Sequence, residues 1–147
     1  MSRTTMLRKQ HDFILDLAGE IDKVLDQLVT EIDVARLQKL LARFDNILTI
    51  HLQSEDTFLY PAMQASSNQE ASETATRFHE EMGGLLGVYA KFSLRWASAK
   101  AIFEQQPLFR QEWNDLCAAL GNRIERENGE LYPLADAMGP DAERKSA

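Results

Sequence analysis

The chain has 147 residues, with 16 Lys and Arg against 23 Asp and Glu, so its formal net charge is −7. That length suits one domain with a sizeable core, and 44% hydrophobic with 27% charged residues is the composition of an ordinary globular protein. The acidic balance excludes phosphate-backbone recognition by a basic face, apolar runs such as residues 85–90 are far too short to span a bilayer, and three His with one Cys exclude a soft-ligand zinc framework.

Apolar residues recur at helical spacing throughout, and no useful length of chain alternates like a strand. In the first segment Leu7, Phe13, Ile14, Leu17, Ile21, Val24, Leu25 and Leu28 form one stripe. Thr30-Glu31-Ile32-Asp33 reads as a short connection with Asp33 as N-cap. A second helix follows, with Leu37, Leu40, Leu41, Phe44, Ile47, Leu48, Phe58 and Leu59 on one face, running to about Ala65 with a kink near Pro61. Ser66-Ser67-Asn68-Gln69-Glu70 is the clearest break, and Ser67 with Glu70 has capping-box spacing.

A third helix carries Phe78, Met82, Leu85, Leu86, Tyr89, Phe92 and Trp96 and ends at Gln105-Gln106-Pro107, where Pro107 suits the first turn of a fourth. The fourth carries Phe109, Trp113, Leu116, Cys117, Leu120, Ile124, Leu131 and Leu134 and stops at Gly139-Pro140. The expected fold is all-α, an antiparallel up-down-up-down four-helix bundle over residues 1–140, with a polar tail at 141–147. The opening Met1-Ser2-Arg3-Thr4-Thr5 has no apolar run of a secretory leader, and a single Cys fits a reducing compartment, so a cytoplasmic location is expected.

Residues 51–61, HLQSEDTFLYP, resemble residues 123–133, RIERENGELYP. Glu55, Leu59, Tyr60 and Pro61 recur as Glu127, Leu131, Tyr132 and Pro133, so the chain reads as two related helical hairpins with a site near their common axis. His51 and Glu55 stand four apart, hence one turn apart on one face, and that face is the apolar one containing Phe44, Leu48 and Leu59. Arg123 and Glu127 lie likewise among Leu116, Leu120, Leu131 and Leu134, and His79 shares a stripe with Met82 and Leu86.

Ionisable groups on a core face must be paired, neutralised or bound to a cation. Two Glu with up to three His would satisfy iron, manganese or zinc better than calcium, which prefers oxygen alone. Two plainer readings stand beside this one: hydrogen-bonded core histidines, and a structural ion pair between Arg123 and Glu127. Tyr60-Pro61 and Tyr132-Pro133 read as matching structural kinks, and Cys117 as a small buried hydrophobe.

These residues resemble the hemerythrin-like, HHE cation-binding family over nearly the whole chain, residues 7–138. The resemblance rests on the early His11, on His51 and Glu55 followed by LYP, on His79 in the third helix, and on Glu127 followed by a second LYP. It implies a four-helix bundle holding two non-heme irons, used for binding oxygen, sensing oxygen or nitric oxide, or handling iron. By position His11 and His51 would serve one iron, Glu55 and Glu127 would bridge, and His79 would belong to the other iron. Two histidines of the second iron are absent: Gly83 and Arg123 stand in their places.

The expected metal set is therefore His11, His51, Glu55, His79 and Glu127, holding one iron ion, with Arg123 occupying the second half-site and pairing with Glu127 and Glu55. A small diatomic ligand, oxygen or nitric oxide, is the expected partner, with no nucleic acid or membrane. The alternative is a metal-free bundle acting through a protein partner. No catalytic motif is present, and the Glu-x-x-His pairs of a ferritin-like oxidase are missing, since Arg8, Leu48 and Thr76 precede the three histidines by three.

Overall fold

A computed structural model describes residues 2–138. The described residues form an all-helical fold, and its elements run α1 (Thr5–Asp26), α2 (Glu31–Ser54), a first π turn (Glu55–Leu59), α3 (Tyr60–Gln64), α4 (Gln69–Met82), α5 (Leu85–Arg95), α6 (Ala99–Glu104), α7 (Gln106–Arg126), a second π turn (Glu127–Leu131) and α8 (Tyr132–Met138). Helix α1 packs on α2, α2 on α5, α5 on α7 and α7 back on α1, which closes a ring of four. Antiparallel pairing of α1 with α7 and the turn that follows it shows in two widely separated contacts: Trp113 Nε1 donates to Asp22 Oδ1 at 2.7 Å, and His11 Nε2 lies 3.1 Å from Glu127 Oε1. No helix among the described residues is long and apolar enough to cross a membrane. The expected stop at Gly139-Pro140 and the tail at 141–147 lie outside the described residues.

Burial divides the apolar interior in two. A larger cluster includes Ile14, Ile21, Leu37, Phe44, Leu48, Phe92, Phe109, Trp113 and Leu120. A smaller one at the other end comprises Leu59, Tyr60, Met63, Phe78, Leu131, Tyr132 and their small neighbours Ala71, Ala75 and Ala135. Between them, where α2 and α7 each run into a π turn, come the buried polar residues His51, Glu55, Arg123 and Glu127. A polar layer thus interrupts the core at the level where the two LYP repeats begin.

Local chemistry corrects several sequence expectations. Asp33 is not the N-cap of α2 but its third residue: Thr30 caps, and Asp33 Oδ2 accepts from the Val29 and Thr30 backbone N–H groups, each at 2.9 Å. Those bonds hold the Asp33 carboxyl below its usual range. Asn68, not Ser67, caps α4, its Oδ1 accepting from Ala71 N–H at 3.1 Å. Phe13 and Phe58, placed on core stripes by periodicity, are exposed.

The third long helix is broken into three pieces. One break falls at Gly83-Gly84 and another after Trp96, where Ser98 caps the short α6. Gly83 is required by space: a Cβ there would collide with the His79 backbone carbonyl and stand 2.9 Å from His79 Nδ1. Gly87, by contrast, lies exposed within α5 with nothing within 4 Å of a Cβ. The two glycines should therefore answer an alanine with opposite signs in thermal denaturation. Gly83→Ala is expected to destabilise by about 1–3 kcal/mol through overpacking. Gly87→Ala should stabilise by up to about 1 kcal/mol through helix propensity.

Candidate metal centre

Each carboxylate of the polar layer begins a π turn, and the following proline explains why the helix widens there. Pro61 and Pro133 have no N–H to close an ordinary turn. The N–H of Tyr60 reaches back five residues to the Glu55 carbonyl, and that of Tyr132 to the Glu127 carbonyl. In an undistorted α-helix residues five apart point about 140° away from each other. The wider turn closes that angle, so Glu and Tyr of each repeat both face the interior, and all four are buried.

The two tyrosines serve the opposite hairpin. Tyr60 Oη donates to Glu127 Oε2 at 2.8 Å, and Tyr132 Oη donates to Glu55 Oε2 at 2.5 Å. Tyr132 also lies 3.1 Å from His11 Nε2 and stacks on the His11 ring at 5.2 Å between centroids. Burial, reinforced by the two carboxylates, pushes both phenols well above their ordinary range, so they are donors throughout the working pH range. The LYP motifs are therefore more than kinks. Their repetition was the available signal, but only the π turn reveals where the phenols point.

Both buried histidines are oriented from outside. His51 Nδ1 donates to Gln10 Oε1 and His11 Nδ1 donates to Asn128 Oδ1, each at 2.8 Å. These bonds leave each Nε2 lone pair facing inward, the arrangement that ligating histidines require. Burial, with the His11 ring second, pushes His51 down to about 3, so its ring is neutral. His51 Nε2 is buried without a hydrogen-bond partner, although it stands 3.1 Å from Glu55 Oε1. A lone pair held against a carboxylate oxygen is favourable only with a cation or proton between them.

Arg123 completes the layer. Only 1% exposed, it donates from Nε to Glu127 Oε2 at 3.0 Å and from Nη2 to Glu55 Oε1 and Asp56 Oδ1, both at 3.2 Å. Its Nη1 donates to the Met82 carbonyl at 3.2 Å, at the end of α4 where the helix breaks, and its guanidinium lies over the Tyr60 ring. Burial alone would lower Arg123, but Glu127 and Glu55 outweigh it and the group stays charged. Burial pushes both Glu55 and Glu127 up, against the pull of Arg123. One guanidinium does not fully offset two desolvated carboxylates.

Of the five residues expected to hold metal, the structure brings four together. His11, His51, Glu55 and Glu127 are all buried, and each offers a ligand atom within 4.8 Å of the others. His79 is exposed on α4, with its ring 6.1 Å from that of Tyr60, and does not join them. The pairing of Arg123 with both Glu127 and Glu55 is as expected, and Asp56 is an additional partner. Gln10, Asp56 and Asn128 were not singled out by sequence, and the two tyrosines only as structural kinks, because their roles depend on contacts between helices.

Two imidazole nitrogens and two carboxylate oxygens converging on one buried point, with an orphaned nitrogen among them, fit a divalent transition metal. No curated protein and no solved structure matches the chain. A family model, the hemerythrin HHE cation binding domain, matches residues 2–135. With its helical bundle and buried His/Glu cluster, the chain belongs to the hemerythrin HHE cation-binding family.

Proposed function

We propose that the protein binds one iron ion at His11, His51, Glu55 and Glu127 and uses it to sense or handle a small diatomic ligand, oxygen or nitric oxide. The observation that carries this reading is the convergence of four buried donor atoms within 4.8 Å beside a guanidinium bonded to both carboxylates. Arg123 supplies positive charge beside the donor set, and His79 is exposed, which supports one ion and not two. A ferrous ion held by these residues would supply the affinity for a diatomic ligand.

The chain's own residues do the rest. Gln10 and Asn128 hold the two imidazoles in the ligating tautomer, and Tyr60 and Tyr132 each hold one carboxylate from the opposite hairpin. The apolar clusters on both sides of the polar layer limit water entry. No residue is assigned a catalytic role.

The competing reading, a metal-free bundle acting through a protein partner, is favoured by the same guanidinium, because Arg123 already neutralises part of the buried charge. Anaerobic loading of the full chain with Fe(II), followed by nitric oxide and electron paramagnetic resonance, separates the two. The signal of a single uncoupled centre is expected. A magnetically coupled pair would contradict the one-ion reading, and no protein-dependent signal would favour the metal-free bundle.

A further inference from the structure

Arg123 is fixed to the same oxygen that faces a candidate ligand nitrogen. Glu55 Oε1 lies 3.1 Å from His51 Nε2 and 3.2 Å from Arg123 Nη2. An ion held by Glu55 therefore has a unit positive charge as its close neighbour. The guanidinium cannot retreat into water, since it is 1% exposed and also bound to Glu127, Asp56 and the Met82 carbonyl. The three carboxylates it touches contribute −3 and Arg123 contributes +1, a local sum of −2. An imidazole that donates from Nδ1 and ligates through Nε2 is neutral, so His11 and His51 add no charge to this set.

A divalent ion brings that sum to zero, whereas a trivalent ion leaves a buried excess of one positive charge, which a desolvated environment penalises. We propose that Arg123 makes the centre selective for divalent over trivalent cations, an inference that rests on the metal-site reading above. Arg123 acts here as a specificity-determining residue through the carboxylates and is not itself a ligand. For an ion that exists in both charges, the same preference favours the lower one.

The test compares Mn2+ with Ga3+, the latter presented as its citrate complex, by equilibrium competition on the full chain and two variants. Arg123→Gln keeps polar contacts but removes the charge, and the Ga3+ to Mn2+ affinity ratio is expected to rise about tenfold or more. Asp56→Asn removes an acid from the partly exposed edge of the set, so the ratio should fall. Circular dichroism establishes that each variant is folded, and Asp56→Asn decides alone if Arg123→Gln is not. Mn2+ binding with a ratio that is unchanged or reversed in the folded variants overturns this inference while leaving the metal site intact. Failure of the parent chain to bind Mn2+ overturns the metal-site reading and this inference with it.

Discussion

His51→Ala is expected to lower affinity for a divalent ion by more than about 100-fold, measured by calorimetric titration of the full chain with Mn2+ or anaerobic Fe(II). His51 Nε2 is the candidate ligand atom with no hydrogen-bond partner, so its removal takes away a ligand, and the one group left without its donor is Oε1 of the half-buried Gln10. The fold should tolerate the change: the imidazole gives up one hydrogen bond, to Gln10 at 2.8 Å, and lines a polar layer. Gln10→Ala provides the graded control. It leaves all four candidate ligands in place but frees the His51 ring to turn and change tautomer, a change that typically costs about 10–100-fold in affinity. Equal affinities for the parent and His51→Ala would contradict the assignment.

Arg123→Met should produce the largest loss of stability, about 3–5 kcal/mol in chemical denaturation of the metal-free chain. The reason lies in what is left behind. Glu55 and Glu127 are fully buried, and without the guanidinium their remaining polar partners are phenols and imidazoles. Burial already pushes both carboxyls up, so removing the cation drives them further toward the protonated form. Adding Glu127→Gln to Arg123→Met should recover part of the loss, because the two groups are directly bonded at 3.0 Å and their effects cannot add. A loss below about 1 kcal/mol would place Arg123 outside the network that holds the polar layer.

The two predictions also mark how far the sequence could be read. Helical periodicity identifies the bundle because each long helix buries one face, and the repeated Glu-x-x-x-Leu-Tyr-Pro places Glu55 and Glu127 on equivalent turns. The ionic partnership of Arg123 follows from its i,i+4 spacing to Glu127 and from its place among core residues. Other features depend on distances that periodicity does not contain. The π turns reorient Tyr60 and Tyr132 toward the carboxylates, whereas an uninterrupted α-helix would turn each away from its glutamate.

His79 illustrates the opposite error. Its stripe with Met82 and Leu86 assumes one continuous helix, but the break at Gly83-Gly84 interrupts the phase between α4 and α5 and His79 emerges exposed. Phe13 and Phe58 fail for a related reason, since the apolar stripe of each helix is broader than the surface its neighbours cover. Gln10 and Asn128 carry no pattern of their own, and their value lies wholly in meeting the outer nitrogens of His51 and His11.

We propose that this bundle holds a single divalent ion in the half of its polar layer that Arg123 leaves open. Metal stoichiometry after anaerobic loading with excess Fe(II) and removal of loosely bound ion, determined by elemental analysis against protein concentration, tests it most directly. One equivalent per chain is expected in the parent, and that equivalent should be lost in His51→Ala. Two equivalents, or none under any loading condition, would contradict it.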